Sequence, residues 1–322
     1  MFYINTRNNY HPVKGSEAIC LGMVPGGGLF VPEEIPFYFP DQEQLAAKDY
    51  LQLAEDIVGL YLDDFNKEEI RSMINGAYCR GNFDDGIAPL VQVGNKHILE
   101  LWHGPTAAFK DMALQLLPRL LTASIAKNNK QMETVILVAT SGDTGKAALE
   151  GFKNVDGIKI IVFYPAEGVS YIQERQMLVT DGDNTYVVAV EGNFDDCQSA
   201  VKAIFADPQL NQALAEHNKC FSSANSINWG RLLPQIVYYY DGYRQMMAQN
   251  EIKWGQKINI VVPTGNFGNI LAAYYAKKMG LPINKLICAS NKNNVLTDAI
   301  NKGIYDRRRP FYKTTSPSMD IL

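Results

Sequence analysis

The chain has 322 residues, 47% of them hydrophobic, and 30 Lys+Arg stand against 34 Asp+Glu for a formal net charge of -4. That length suggests about two domains and an ample buried core. The acidic balance argues against nucleic acid, which needs a clustered basic face, and aromatic residues at 11% exclude a disordered or fibrous chain.

The start, Met1-Phe2-Tyr3-Ile4-Asn5-Thr6-Arg7, lacks the basic flank and apolar run of a secretory signal. Apolar runs elsewhere are of strand length, far short of the ~20 residues that cross a bilayer, so no membrane partner is expected. The five cysteines (Cys20, Cys79, Cys197, Cys220, Cys288) are scattered and form no Cys-x-x-Cys pair, which fits reduced thiols in a cytoplasm. The four histidines (His11, His97, His103, His217) show no metal-ligand spacing, so no metal is expected.

Residues 1–85 read differently from the rest, with Gly26-Gly27-Gly28, Pro25, Pro32, Pro36 and Pro40, then an acidic helical stretch at Leu51–Leu62. From Ala88 onward, strand-then-helix alternation predicts an α/β fold, its mostly parallel sheets covered by helices on both faces. The strand-length runs are Thr134–Ala139, Ile158–Phe163, Thr185–Val190 and Ile258–Val262. Helical periodicity follows at Lys146–Lys153, Ser170–Leu178, Phe194–Phe205 and Asn269–Met279. One longer helix is expected over Gly230–Gln249, with Leu232, Leu233, Ile236, Val237 and Tyr240 as core.

Two strands run into small-residue turns that open a helix: Thr140-Ser141-Gly142-Asp143-Thr144-Gly145 and Thr264-Gly265-Asn266-Phe267-Gly268-Asn269. Glycines there let backbone N–H groups approach a ligand, and the helix N-terminus adds partial positive charge. Either alone is also the shape of a plain tight turn. Their matching placement at strand ends points to a phosphate-bearing ligand. A P-loop fails because Gly145-Lys146 is followed by Ala147, and a dinucleotide fingerprint fails at Gly26-Gly27-Gly28 because position 31 is Val31.

A third segment runs Leu99-Glu-Leu-Trp-His103-Gly-Pro-Thr-Ala-Ala-Phe109-Lys110-Asp111 into an apolar-periodic helix marked by Met112, Leu116, Leu117 and Leu120. A lysine at a helix start opposes the dipole. It is either a solvated lysine or an amine in an apolar pocket, where desolvation lowers its pKa and permits an imine with a carbonyl cofactor. Asn225, Ser226, Asn228 and Arg231 precede the long helix, as a capping cluster or as a phosphate clamp built on a planar guanidinium. His103 reads as structural and Arg307-Arg308-Arg309 as a solvated basic patch.

The segment His103–Asp111 resembles the pyridoxal-phosphate lysine motif of threonine synthases, in the fold-type-II family of pyridoxal-phosphate enzymes. The likeness continues through Ala139–Gly145, Ala224–Gln235, Val262–Tyr275 and Ser316–Leu322, and it includes Thr6-Arg7 and Gly27–Pro32 near the start. The resemblance implies a tryptophan synthase β-like fold with an N-terminal domain over 1–85. A large cofactor domain would comprise 86–130 and 226–322, and a small mobile domain 131–225. It implies pyridoxal 5'-phosphate as cofactor, with Lys110 as the Schiff-base lysine and proton carrier. The cofactor phosphate would be held by backbone N–H groups of Gly265, Asn266, Phe267, Gly268 and Asn269, with Phe109 near the ring or in the core. Substrate would be bound by Ser141, Gly142, Asp143 and Thr144 and by Asn225, Ser226, Asn228 and Arg231. Asp143 is awkward beside an anion; it is expected to cap the following helix or to point away, with Lys146 offsetting its charge.

The reaction so implied converts O-phosphohomoserine and water to threonine and phosphate in a cytoplasmic monomer or homodimer. A serine/threonine dehydratase, a cysteine synthase and a non-catalytic pyridoxal-phosphate-binding protein are the competing readings. The motif Ser316–Leu322 lies inside the family's chains, which implies a truncated or incomplete chain with weak or absent turnover.

Overall fold

The computed structural model describes residues 1–83, 86–128, 132–306, 308–316 and 319–320. The expected boundaries at 85 and 130/131 lie outside the described residues, as do Arg307 and Pro317, Ser318, Ile321 and Leu322 of the carboxyl-terminal motif.

The amino-terminal part contains β1 (Phe2–Asn5), β2 (Val13–Lys14), α1 (Gly15–Leu21), β3 (Phe30–Pro32), α2 (Gln42–Ala46), α3 (Tyr50–Tyr61) and α4 (Lys67–Ala77). Its three strands form an antiparallel sheet in the order β2-β1-β3. Helices α3 and α4 each start on a capping box, with Asp49 and Gln52 exchanging bonds at one and Asn66 and Glu69 at the other. An antiparallel hairpin, β4 (Leu90–Val93) and β5 (Lys96–Leu99), leads to α5 (Asp111–Leu114) and α6 (Leu117–Lys127).

The single helix expected after Lys110 is therefore two. Pro118 sits in the first turn of α6, and its ring would strike the carbonyl of Leu114, the residue at which α5 ends.

Next come β6 (Glu133–Ala139), α7 (Asp143–Phe152), β7 (Ile158–Pro165), α8 (Tyr171–Leu178), β8 (Thr185–Val190), α9 (Phe194–Ala206), α10 (Pro208–Glu216) and β9 (Lys219–Ser223). Their strands make a fully parallel sheet in the order β8-β7-β6-β9. Strand β6 shows why the expected double covering holds. Ile136 and Val138 enter the main core, whereas Val135, Leu137 and Ala139 join Cys197 and Val201 of α9 on the other face. Period-two alternation thus fills a core on each side, as parallel sheets require.

The chain finishes with α11 (Trp229–Leu232), α12 (Pro234–Ala248), β10 (Ile258–Pro263), α13 (Gly268–Lys278), β11 (Ile283–Ala289) and α14 (Val295–Lys302), where β10 and β11 pair in parallel. The helix expected over 230–249 is broken at Leu233 because Pro234 cannot continue it. Helix α12 still runs through the main core, with Ile236, Val237 and Tyr240 fully buried. Of the basic patch, Arg308 is solvated as expected, whereas Arg309 donates to Asp298 on α14 at 2.9 Å. Among the described residues no helix is long and apolar enough to cross a membrane.

Candidate active site

Strand β6 delivers Thr140, which is 1% exposed, and its hydroxyl accepts from the amides of Gly142 at 2.9 Å and Gly145 at 2.8 Å. Two amides of this turn are thus used inside the loop, so the expected anion cradle is smaller than its glycines suggested. Gly142 has φ +136°, a conformation that side chains rarely adopt. Ser141 and Thr144 are half-buried beside it.

Strand β10 delivers the second turn. The Thr264 hydroxyl ties it to the Ala289 carbonyl of β11 at 2.6 Å, and Phe267 is left-handed at φ +68°. A phenylalanine in that region is strained, and such strain gathers at functional loops. The Asn269 side chain braces the turn from within, donating to the Pro263 carbonyl at 2.9 Å and accepting from the Ile270 amide at 2.9 Å. The Gly265 amide meets the Met319 sulfur at 3.1 Å. Met319 is set there by its neighbour Asp320, which accepts from Asn291, Asn293 and Thr314.

Lys110 stands immediately before α5, makes no side-chain capping bond to it and is 9% exposed. The turn before it is closed by Asp111, which accepts from the Thr106 amide at 2.8 Å and hydroxyl at 2.7 Å. Lys110 Nζ lies 4.8 Å from the centre of the Phe109 ring and 3.5 Å from Asp143 Oδ2. Burial lowers the lysine's pKa; Asp143 opposes that shift and Arg231 reinforces it. Asp143 therefore neither caps α7 nor points away: it faces Lys110 and accepts from Gln173. The ammonium of Lys146, expected to offset the Asp143 charge, is held by Glu150 at 3.1 Å and Thr180 at 3.2 Å.

The polar cluster before α12 divides in two. Asn228 is 1% exposed; its amide donates to the carbonyls of Ile19 and Ser223, and its oxygen caps α11 at the Gly230 amide. That side chain is spent on structure, which corrects its expected place against substrate. Arg231 is 3% exposed with no acidic partner among its hydrogen bonds. Its Nη1 donates to the Ala224 carbonyl at 2.7 Å, its Nε is buried without a partner, and burial pushes the guanidinium down to about 10. The Asn225 oxygen is buried and unpartnered as well.

One cleft collects Phe109, Lys110, Ser226, Arg231, Gly265, Asn266, Gly268 and Asn269, and adds Gln235 and Met319, which were not among the expected residues. Gln235 is locked to the Arg231 carbonyl at 2.8 Å. Phe267 lines a separate outer hollow between α13 and α14 that contains no lysine, arginine or carboxylate. Asp143 reaches Lys110 from the 140–145 turn, and Gln173 stands behind it. A buried amine, a buried guanidinium with an unsatisfied donor and a glycine turn at a helix start suit an aldehyde that carries a phosphate.

The fold is that of the fold-type-II pyridoxal-phosphate enzymes, and the site suits their cofactor. The family described as pyridoxal-phosphate dependent enzyme matches residues 89–321, and that described as threonine synthase N terminus matches residues 2–78. Threonine synthase-like 1 of Homo sapiens is 44% identical over an alignment of 319 positions that covers 95% of this chain and 42% of that protein. Threonine synthase of Pseudomonas aeruginosa is 40% identical over 328 residues, covering 100% of this chain and 66% of its own. The crystal structure of the pyridoxal-phosphate-bound threonine synthase from Brucella melitensis is similar at a TM-score of 0.87 and 39% identity, over 99% of this chain and 67% of that one. The chain belongs to the threonine synthase family, and pyridoxal 5'-phosphate is its cofactor. It spans about two fifths of the length of its threonine synthase-like relatives.

Proposed function

We propose that the protein converts O-phospho-L-homoserine and water to L-threonine and inorganic phosphate. The observation that carries this reading is Arg231, a buried cation with an unsatisfied Nε in the same cleft as the buried amine of Lys110. Such a guanidinium suits a dianionic phosphate on the substrate, with Ser226 and Asn225 beside it. When bound, pyridoxal phosphate supplies an electron sink for carbon–hydrogen cleavage.

Lys110 Nζ then moves protons at the substrate's α- and β-carbons, and its lowered pKa makes the neutral, proton-accepting amine easier to reach. The carbon–oxygen bond at the γ-carbon breaks as phosphate leaves, the γ-carbon is reprotonated, and water adds its oxygen at the β-carbon. The turns at 141–144 and 265–269 bind the substrate's carboxylate and the cofactor's phosphate, respectively. The segment 131–225 is the mobile part that excludes water, and the protein acts in the cytoplasm.

The test compares phosphate release from O-phosphohomoserine with ammonia release from threonine by the pyridoxal-phosphate-loaded protein. Phosphate release, however weak, that disappears in Lys110→Ala is the expected result. Ammonia release alone would move the protein to the dehydratases, and neither product would make it a binding protein.

A further inference from the structure

Asp143 is the first residue of α7, and its carboxylate stands between two side chains from different elements. Oδ2 lies 3.5 Å from Lys110 Nζ at the start of α5, and Oδ1 accepts from the Gln173 amide on α8. Gln173 is itself held by the capping box of α8, its Oε1 accepting from the Ser170 amide at 3.3 Å and hydroxyl at 3.1 Å. With that oxygen engaged, the NH2 end of Gln173 is the end left to face Asp143. Gly142 makes room for this approach, since a Cβ there would lie 2.4 Å from Gln173 Cδ. A chain of polar contacts therefore runs from Ser170 through Gln173 and Asp143 to Lys110.

The other charges facing Lys110 are Arg231, which repels it, and Asp111, which attracts it but is already held by Thr106. Phe109 covers the ammonium with an aromatic face. Asp143 is thus the acceptor that fixes the direction of the amine.

We propose that Asp143, aimed by Gln173, is a positioning residue for Lys110 that holds the ammonium and sets the pH at which the lysine captures its carbonyl cofactor. The inference rests on the reading of Lys110 as the cofactor-bearing lysine. For capture, the ammonium first loses one proton, past Asp143, to solvent. Nζ then bonds the aldehyde carbon, and the carbonyl oxygen leaves as water with the two remaining N–H protons. A carboxylate beside the ammonium delays the first of these events, so its removal brings capture to lower pH.

The test follows covalent capture of added pyridoxal phosphate by the cofactor-free protein, from its absorbance, as initial rate against pH. In Asp143→Asn the midpoint should fall by about one pH unit or more, the scale of an opposite charge at this distance. In Gln173→Leu it should fall by less, and Asp143→Glu should restore it. A merely structural role would slow capture equally at every pH. An unchanged midpoint in Asp143→Asn overturns the proposal, and where that variant does not fold, an unchanged midpoint in Gln173→Leu does so. Capture that survives in Lys110→Ala removes the underlying reading of the lysine, an outcome distinct from an unmoved midpoint.

Discussion

The guanidinium of Arg231 donates from Nη1 to the carbonyl of Ala224 at 2.7 Å, while its Nε is buried with no partner among the described residues. A buried cation left in that state costs stability, and an anion that reaches it returns the loss. Inorganic phosphate should therefore raise the Tm of the cofactor-free protein, since an anion at a hundred times its dissociation constant adds about 2.7 kcal/mol. Truncating one side of a buried charged hydrogen bond costs about 2–5 kcal/mol. Arg231→Met should thus abolish the phosphate response. Without phosphate it should unfold near the wild-type temperature, because losing the unpaired buried charge offsets the Ala224 carbonyl left without its donor. A phosphate-induced shift of wild-type size in Arg231→Met would remove Arg231 from the anion site.

Burial, reinforced by repulsion from Arg231 and only partly opposed by Asp143, makes the lysine lose its proton below the usual value of 10.5. Between its depressed folded value and 10.5 the folded protein binds fewer protons than the unfolded chain, so stability rises with pH through that window. Urea unfolding of the cofactor-free protein across that window should show the rise, and Lys110→Met should lack that contribution to the slope. Covalent capture of pyridoxal phosphate should likewise gain speed at a lower pH than for a free lysine amine. A midpoint at or above 10.5 would contradict the buried geometry.

Asn228 separates structural from ligand-binding roles within its own motif. It caps α11 and ties that helix to Ile19 and Ser223, three bonds that an alanine cannot make. Losing the cap alone costs about 1 kcal/mol, and each carbonyl left buried without its donor adds about 1–3 kcal/mol. Asn228→Ala should lower the chemical-denaturation midpoint and leave the affinity for phosphate close to wild type, measured on the folded fraction. Arg231→Met should do the reverse.

The strands at 133–139, 158–165 and 185–190 were legible because β-branched runs of that length, bounded by turn residues, have few other homes. Lys110 was legible because a lysine at a helix start conflicts with the dipole and so demands a reason. The direction of Asp143 was not legible. Its partners Lys110 and Gln173 lie 33 and 30 residues away, and only the packing of α5, α7 and α8 brings them to one point. Ser170-x-x-Gln173 carries a capping signature in its sequence, but nothing local says that the far end of Gln173 meets a carboxylate. The helix breaks at Leu114 and Leu233 were readable in principle from Pro118 and Pro234, and apolar periodicity running across both prolines masked them. Met319 owes its place to the Asp320 hydrogen bonds, which involve residues up to 29 positions away.

Gly151 sets how closely α7 approaches α5, and with it the distance from Asp143 to Lys110. A Cβ at Gly151 would stand 2.1 Å from the Leu114 carbonyl oxygen, a backbone atom that no rotamer change can move aside. Gly151→Ala must therefore push the two helices apart. Overpacking of this kind costs about 1–3 kcal/mol, and it should lower the midpoint of chemical unfolding accordingly. Because Lys110 begins α5 and Asp143 begins α7, the same displacement should lengthen their contact and move the pH midpoint of cofactor capture in the direction of Asp143→Asn. Gly157→Ala is the control: its φ of +73° makes the substitution locally strained, yet a Cβ there meets nothing within 4 Å. It should cost stability through that strain while the capture profile stays at the wild-type midpoint. Equal capture profiles for the two variants would mean that α5 and α7 do not hold the pair together, since both lose stability and only one separates the helices.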